Sequence, residues 1–212
     1  LFSQLTLVDL MFVDLERIEP RLRYELLVSA VLPRPIAWVS TRSLSGVDNL
    51  APFSFFNLFS TSPAILGFSP GLKRVSASSE LVMKDSLRNV LESGEFVVNI
   101  VNLKMAAKMV QSSANYAPEQ SEFVEAELRS LPSEQVNVAR LADAPLSLEC
   151  KLHKIVELGS NSLVLGRIVC MHVDDSVLSD GKIDVVKLQP LARLGGDLYA
   201  TLSEPFEIAR PD

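Results

Sequence analysis

PRPIAWVSTRSLSGVDNLAPFSFFNLFSTSPAILGFSP, residues Pro33 to Pro70, decides how the rest of the chain is read. Turn signals at Ser45-Gly46-Val47-Asp48 and Ser60-Thr61-Ser62-Pro63 cut it into three strands, Ile36 to Arg42, Asn49 to Phe59 and Ala64 to Ser69. The middle strand is unusual for a core element. Asn49, Ala51, Ser54 and Asn57 interleave with Phe53, Phe55 and Phe56, and Pro52 has no amide to give to a ladder. Such a strand fits a sheet edge, a bulge or the wall of a ligand site better than a buried centre.

The totals narrow the classes. With 212 residues, 48% of them hydrophobic, the chain can bury a substantial core and does not read as disordered. A net charge of −6 with scattered basic residues excludes an electrostatic nucleic-acid partner, while a small anion needing a few donors stays allowed. The apolar spans are too short for a bilayer-crossing helix, so no membrane partner and a soluble, cytoplasmic protein are expected. Cys150 and Cys170 lie far apart in apolar surroundings without metal-ligand spacing and read as reduced, buried thiols. Residues 1–20 read as an N-terminal extension, the first ten of them upstream of a candidate start at Met11, and residues 21–212 as one domain.

Leu22, Leu26 and Leu27 predict a helix within Arg21 to Leu32, which Pro33-Arg34-Pro35 ends. The polar stretch Gly71 to Ser79 carries Lys73 and Arg74 and reads either as a solvated loop or as a phosphate partner. Lys84-Asp85-Ser86 then precedes the apolar positions Leu87, Val90 and Leu91 and a stop at Gly94, with Asp85 or Ser86 as N-cap. This start is either a capped surface helix or an anion site, with Lys84 beside its partially positive end. Glu95 to Val101 reads as a strand, and Leu103 to Gln111 as a short helix with Met105 and Met109 in the core. Ser112 to Asp143 is loop-rich, with a short helix near Ser121 to Ala126 that Ser121 could cap; it reads as a lid, an excursion or an arm toward a second subunit.

Leu146 to Asp174 is the clearest hairpin, turning at Gly159-Ser160-Asn161. His153 and His172 have no Cys, Asp or Glu at metal or triad spacing and read as structural, so no metal site is expected. A last strand, Ile183 to Leu188, leads into Arg193, Gly195, Gly196 and Tyr199, where paired glycines permit close backbone approach. Rossmann, Walker, GxSxG, HExxH and CxxC signatures are all missing from the sequence. Many short strands with few helices point to a mainly β barrel with accessory helices.

Four segments now stand in order: PRPIAWVST, GVDNLAPFSFFNLFSTSP, KDSLRNVLESGEFVVNIV and VDDSVLSDGKIDVVKLQPLARLGGDLYA. Together they resemble the flavin-reductase-like family of FMN-binding split barrels, from Val31 to roughly Arg210. The resemblance implies a Greek-key-like split β-barrel, a homodimer with FMN near the subunit interface, and flavin redox chemistry with NADH or NADPH as donor. Ser86 stands where related sequences often carry threonine, and the hydroxyl is kept. Carried onto this chain, the FMN phosphate falls to Ser40, Thr41, Lys84, Asp85 and Ser86, with Arg34 or the Lys73/Arg74 loop as added charge. The ring falls to Trp38, Val39, Asn49, Ala51, Pro52, Phe53, Ser54 and Phe55. Arg193, Gly195, Gly196 and Tyr199 would close the site or face the second substrate. No catalytic side chain is expected, because the flavin carries the redox step and passes electrons to a small-molecule redox substrate or a partner oxygenase. Two alternatives stay open: an FMN-carrying electron-transfer module without nicotinamide activity, and a split barrel that has lost flavin and binds another anion.

Overall fold

The computed structural model describes residues 11–74 and 81–211. The readings placed on residues 1–10 and on 75–79 of the polar loop lie outside the described residues. Seven strands make one antiparallel sheet: β1 (Ala37–Arg42), β2 (Asp48–Phe53), β3 (Phe56–Thr61), β4 (Ala64–Phe68), β5 (Glu95–Ile100), β6 (Leu146–Glu157) and β7 (Ser162–Val173). Their hydrogen-bonded order is β2-β1-β5-β6-β7-β4-β3.

The strand expected over Asn49 to Phe59 is therefore two strands, broken at Ser54-Phe55, and they occupy opposite edges of the sheet. That correction decides the architecture. A two-residue connection reaches only roughly 10 Å, so the two edges must come together and the sheet curls into a barrel left open between β2 and β3. Phe53 on one edge packs against Phe68, next to the other edge, with ring centroids 5.0 Å apart, and Phe68 meets Phe96 at 5.3 Å. These rings fill the interior with Ala37, Val39, Leu66, Val98, Cys150 and Val164. The fold is a split β-barrel, and Pro52, which has no amide to donate, sits on its edge strand.

Strand alternation sends Trp38 to the opposite face of β1 from Val39. There Trp38, together with Leu50, is covered by Met105, Met109, Phe123 and Leu141. Met109 comes from α3 (Ala106–Gln111) and Phe123 from α4 (Glu122–Glu125), which follow α1 (Pro20–Ala30) and α2 (Asp85–Ser93) in the chain. Leu87 and Val90 of α2 join the barrel interior, and the helix ends at Gly94, whose φ of +70° suits a residue without Cβ. Ser121 precedes α4, yet its hydroxyl donates to Asp48 O at 2.6 Å instead of capping the helix. The strand expected over Ile183 to Leu188 is mostly the helical turn α5 (Val185–Leu188). Asp184 causes this: its carboxylate accepts from Val186 N and Lys187 N and so caps a turn that hydrophobicity alone reads as extended. No helix among the described residues is long and apolar enough to cross a membrane.

Candidate functional site

The start of α2 meets the edge strand β2. Lys84 enters the helix in an extended conformation (φ −66°, ψ 148°), so it, and not Asp85 or Ser86, occupies the N-cap position. The first amides of a helix have no intrahelical partner and form its partially positive end. The Ser86 hydroxyl donates to Asn49 Oδ1 at 2.8 Å, and Thr41 Oγ1 donates to the same oxygen at 3.2 Å. Asn49 Nδ2 donates in turn to Glu122 Oε1 at 2.6 Å, while Leu50 N donates to Glu122 Oε2 at 2.9 Å. Three side chains, Thr41 of β1, Ser86 of α2 and Glu122 of α4, thus fix one asparagine at the barrel edge.

Charge around this network is unequal. Asp85 lies 2.5 Å from Lys73 Nζ and 2.5 Å from Arg88. Burial pushes its carboxyl up, but the hydrogen bond and charge of Lys73, followed by those of Arg88, outweigh that and hold it below the ordinary carboxylate value. Burial pushes Glu122 up, and the amide of Leu50 offsets this only in part. Lys84 Nζ stands 5.3 Å from the centre of the Phe53 ring. Burial, aided by the Lys73 charge, lowers its pKa. An ammonium held at such a cost is one that an incoming anion would relieve.

Two cavities follow from these walls. The smaller, about 70 Å³, is bounded by Asn49, Ala51, Pro52, Lys73, Lys84, Asp85, Ser86, Glu122 and the segment from Ser112 to Tyr116. The larger, about 580 Å³, is bounded by Arg34, Pro52, Phe53, Ser54, Arg193, Gly196 and Tyr199 with Tyr24 and Ser29 of α1. Pro52 and Ser113 belong to both walls, so the cavities are consecutive parts of one groove. Arg34 is buried at its edge, donating to Val31 O at 3.0 Å, to Leu194 O at 2.8 Å and to Val28 O, and reaching Ser54 Oγ at 3.5 Å. One guanidinium therefore ties the end of α1 and the C-terminal loop to the β2 edge. Arg193 lies over the Tyr199 ring, 4.5 Å from its centre, and donates to the Tyr199 hydroxyl.

Of the residues expected around a cofactor, Asn49, Ala51, Pro52, Phe53, Ser54, Lys84, Asp85 and Ser86 line this groove, as do Arg193, Gly196 and Tyr199. Trp38, Val39, Ser40 and Thr41 do not. All four have no accessible surface, because β1 is an inner strand covered on both faces. Val39 fills the barrel interior. The Trp38 indole donates to Ser112 Oγ at 2.9 Å, so it acts on the small cavity only by holding a wall residue, as Thr41 does through Asn49. Ser40 Oγ donates to Ala139 O at 2.6 Å. Ser40→Ala is expected to lower stability by about 1–3 kcal/mol by stranding that buried acceptor, read as a lower denaturation midpoint at unchanged m. Gly195 packs against α1, where a Cβ would fall 2.6 Å from Ser29 Oγ. Phe55 lines a neighbouring cavity of about 740 Å³ that shares Arg34 and Ser54 with the groove. Ser112 to Tyr116, Glu122 and Tyr24 carry no local motif that marks them; topology alone brings them here.

Residues 29–192 match the family model described as the flavin reductase like domain. An uncharacterised protein of Halalkalibacterium halodurans is 40% identical over 194 residues, covering 89% of this chain and 90% of the relative. Among solved structures, nitrilotriacetate monooxygenase component B from Bacillus cereus superposes with a TM-score of 0.87 at 32% identity, covering 94% of this chain and 98% of that one. The 2-nitrobenzoate 2-nitroreductase of Pseudomonas fluorescens gives 0.84 at 29% identity, covering 95% and 96%. A curled sheet split between β2 and β3, a groove along the β2 edge and a family match over most of its length lead to one assignment: this chain belongs to the flavin reductase like family.

Proposed function

We propose that the groove binds FMN and that the chain is an NAD(P)H-dependent flavin oxidoreductase. The observation that carries this reading is the groove's polarity. Its narrow end gathers two ammonium groups and a helix N-terminus, and its wide end has the volume of a small-ligand site. A phosphorylated, ring-bearing ligand has the same polarity. Two carboxylates also stand in the narrow end, and each has its own partners: Asp85 is paired with Lys73 and Arg88, and Glu122 accepts from Asn49 Nδ2 and Leu50 N.

Lys84, Lys73 and the first amides of α2 would hold the phosphate, with Asp85 keeping Lys73 in place rather than touching the anion and the Ser86 hydroxyl holding Asn49. Pro52, Phe53 and Ser54 would flank the ring, and Arg34 fixes Ser54 there. FMN bound there would supply two-electron chemistry toward a nicotinamide donor. The protein's own part is to orient both partners, exclude water and offer Arg193 and Tyr199 toward the second substrate. No side chain need act as nucleophile.

A partner oxygenase as final acceptor is supported by the 32%-identical relative named as a component of a monooxygenase, and direct reduction of a small acceptor by the one named as a nitroreductase. Exposed Phe55, Leu58 and Phe59 beside the split suit burial in a homodimer. Two free thiols fit a cytoplasmic setting. The purified protein with added FMN is expected to bind one flavin per chain, to lose its yellow colour with NADH or NADPH under anaerobic conditions, and to turn over in air. Failure of both donors would overturn the nicotinamide assignment, and failure to bind FMN would overturn the whole reading.

A further inference from the structure

We propose that Glu149, Cys170 and His172 form a three-ligand site for a zinc-class divalent cation on the outer face of the β6–β7 hairpin. Sequence spacing does not mark it, because its members come from two strands. The register places Glu149 opposite Cys170 and Ser147 opposite His172, and an irregularity just beyond Glu149 leaves Val169 as the extra residue of β7. Cys170 and His172, two apart on one strand, then share a face with Glu149 across the ladder.

One ligand atom from each residue lies within 4.8 Å of the other two. His172 Nε2 is 2.5 Å from Glu149 Oε1 and 3.7 Å from Cys170 Sγ. Zinc takes thiolate at about 2.3 Å and imidazole or carboxylate at about 2.0–2.2 Å in a tetrahedron. That geometry sets ligand atoms roughly 3.3–3.7 Å apart, so the sulfur already stands at ligand spacing from the imidazole and the Glu149–His172 pair must open by about 1 Å. The carboxylate is pre-oriented: it accepts from Glu134 N at 2.8 Å and from Gln135 N at 2.6 Å. Its side chain is fully buried, whereas that of His172 is 23% exposed, so a cation has an approach and a fourth position open to water. A thiol, an imidazole and a single carboxylate are the donors of zinc and its transition-metal neighbours, not of magnesium or calcium. The balance is simple. The cation displaces the thiol proton to solvent and takes the imidazole through an unprotonated Nε2, with the ring proton on Nδ1; the carboxylate binds as the anion and no electrons move. Because Glu149 also holds the amides of residues 134 and 135, the ion would fasten that loop to the hairpin. None of the three residues lines the groove.

The test uses the reduced full-length protein with zinc chloride or cobalt chloride alone. One equivalent is expected to bind with proton release, cobalt is expected to show a thiolate charge-transfer band, and zinc is expected to slow alkylation of Cys170. Cys170→Ala and His172→Ala should each weaken binding by more than about a hundredfold, more than is typical for loss of a mere orienting partner. Replacing the exposed His153 should change nothing. Alkylation equally fast with and without zinc, or cobalt binding without the thiolate band, overturns the proposal on the unmutated protein. Unchanged affinity in Cys170→Ala does the same.

Discussion

Replacing Lys84 with methionine is expected to weaken FMN binding by about 10- to 100-fold and to leave riboflavin binding largely unaffected. A charge-assisted hydrogen bond contributes about 1.5–3 kcal/mol, and each 1.4 kcal/mol is a factor of ten. Methionine keeps an unbranched stem near the Phe53 ring, so the wall that both flavins would meet is preserved. Riboflavin lacks only the phosphate, which isolates the contact. Burial and Lys73 disfavour the Lys84 charge in the free protein, and a phosphate in the narrow end would reverse that balance. The FMN preference should therefore shrink as salt is added, though less than for an exposed pair. Equal losses for both flavins, or no loss for either, would remove the phosphate from this end of the groove. Titration of flavin fluorescence with wild type and variant decides between these outcomes.

The groove was legible where local chemistry marks it and hidden where topology makes it. Pro52 and Asn49 announce an edge because a proline cannot serve an inner ladder, and Lys84-Asp85-Ser86 announces a helix start because of what its side chains and first amides can do. Ser40 and Thr41 show the same hydroxyls, but their strand lies between β2 and β5 and their oxygens are spent on Ala139 and Asn49. A hydroxyl pattern looks alike whether it faces a ligand or a neighbouring strand. The break at Ser54-Phe55 was hidden for a related reason: aromatic and small polar residues continue across it, and only the pairing of β3 with β4 at the far side of the sheet shows that the chain has changed edges. Val185 and Val186 read as strand because β-branched residues favour extension, and Asp184 overrides them through two amides. Glu149, Cys170 and His172 meet through register, which one chain does not print.

Gly166→Ala is expected to destabilise the protein by about 1–3 kcal/mol, the range for overpacking a filled core. Elsewhere the same change often stabilises by about 0.4–1 kcal/mol through the unfolded chain, so the sign itself is informative. A Cβ at Gly166 would stand 2.2 Å from Phe96 Cζ, 2.7 Å from Cε1 and 3.2 Å from Cys150 Cβ. Phe96 has no accessible surface and packs edge-on to Phe68, so its ring cannot swing away into solvent. Gly166 pairs with Leu152 on one side and Leu66 on the other, which keeps its backbone from retreating. The barrel thus closes around one ring because the facing strand carries no side chain there. Phe96→Ala alone should cost about 3–5 kcal/mol through the cavity it leaves. In the double variant the new methyl enters that cavity, so the two costs should sum to more than the measured loss, by about 0.5–3 kcal/mol. Urea denaturation of the four proteins closes the cycle, and strict additivity would mean that ring and glycine do not share this space.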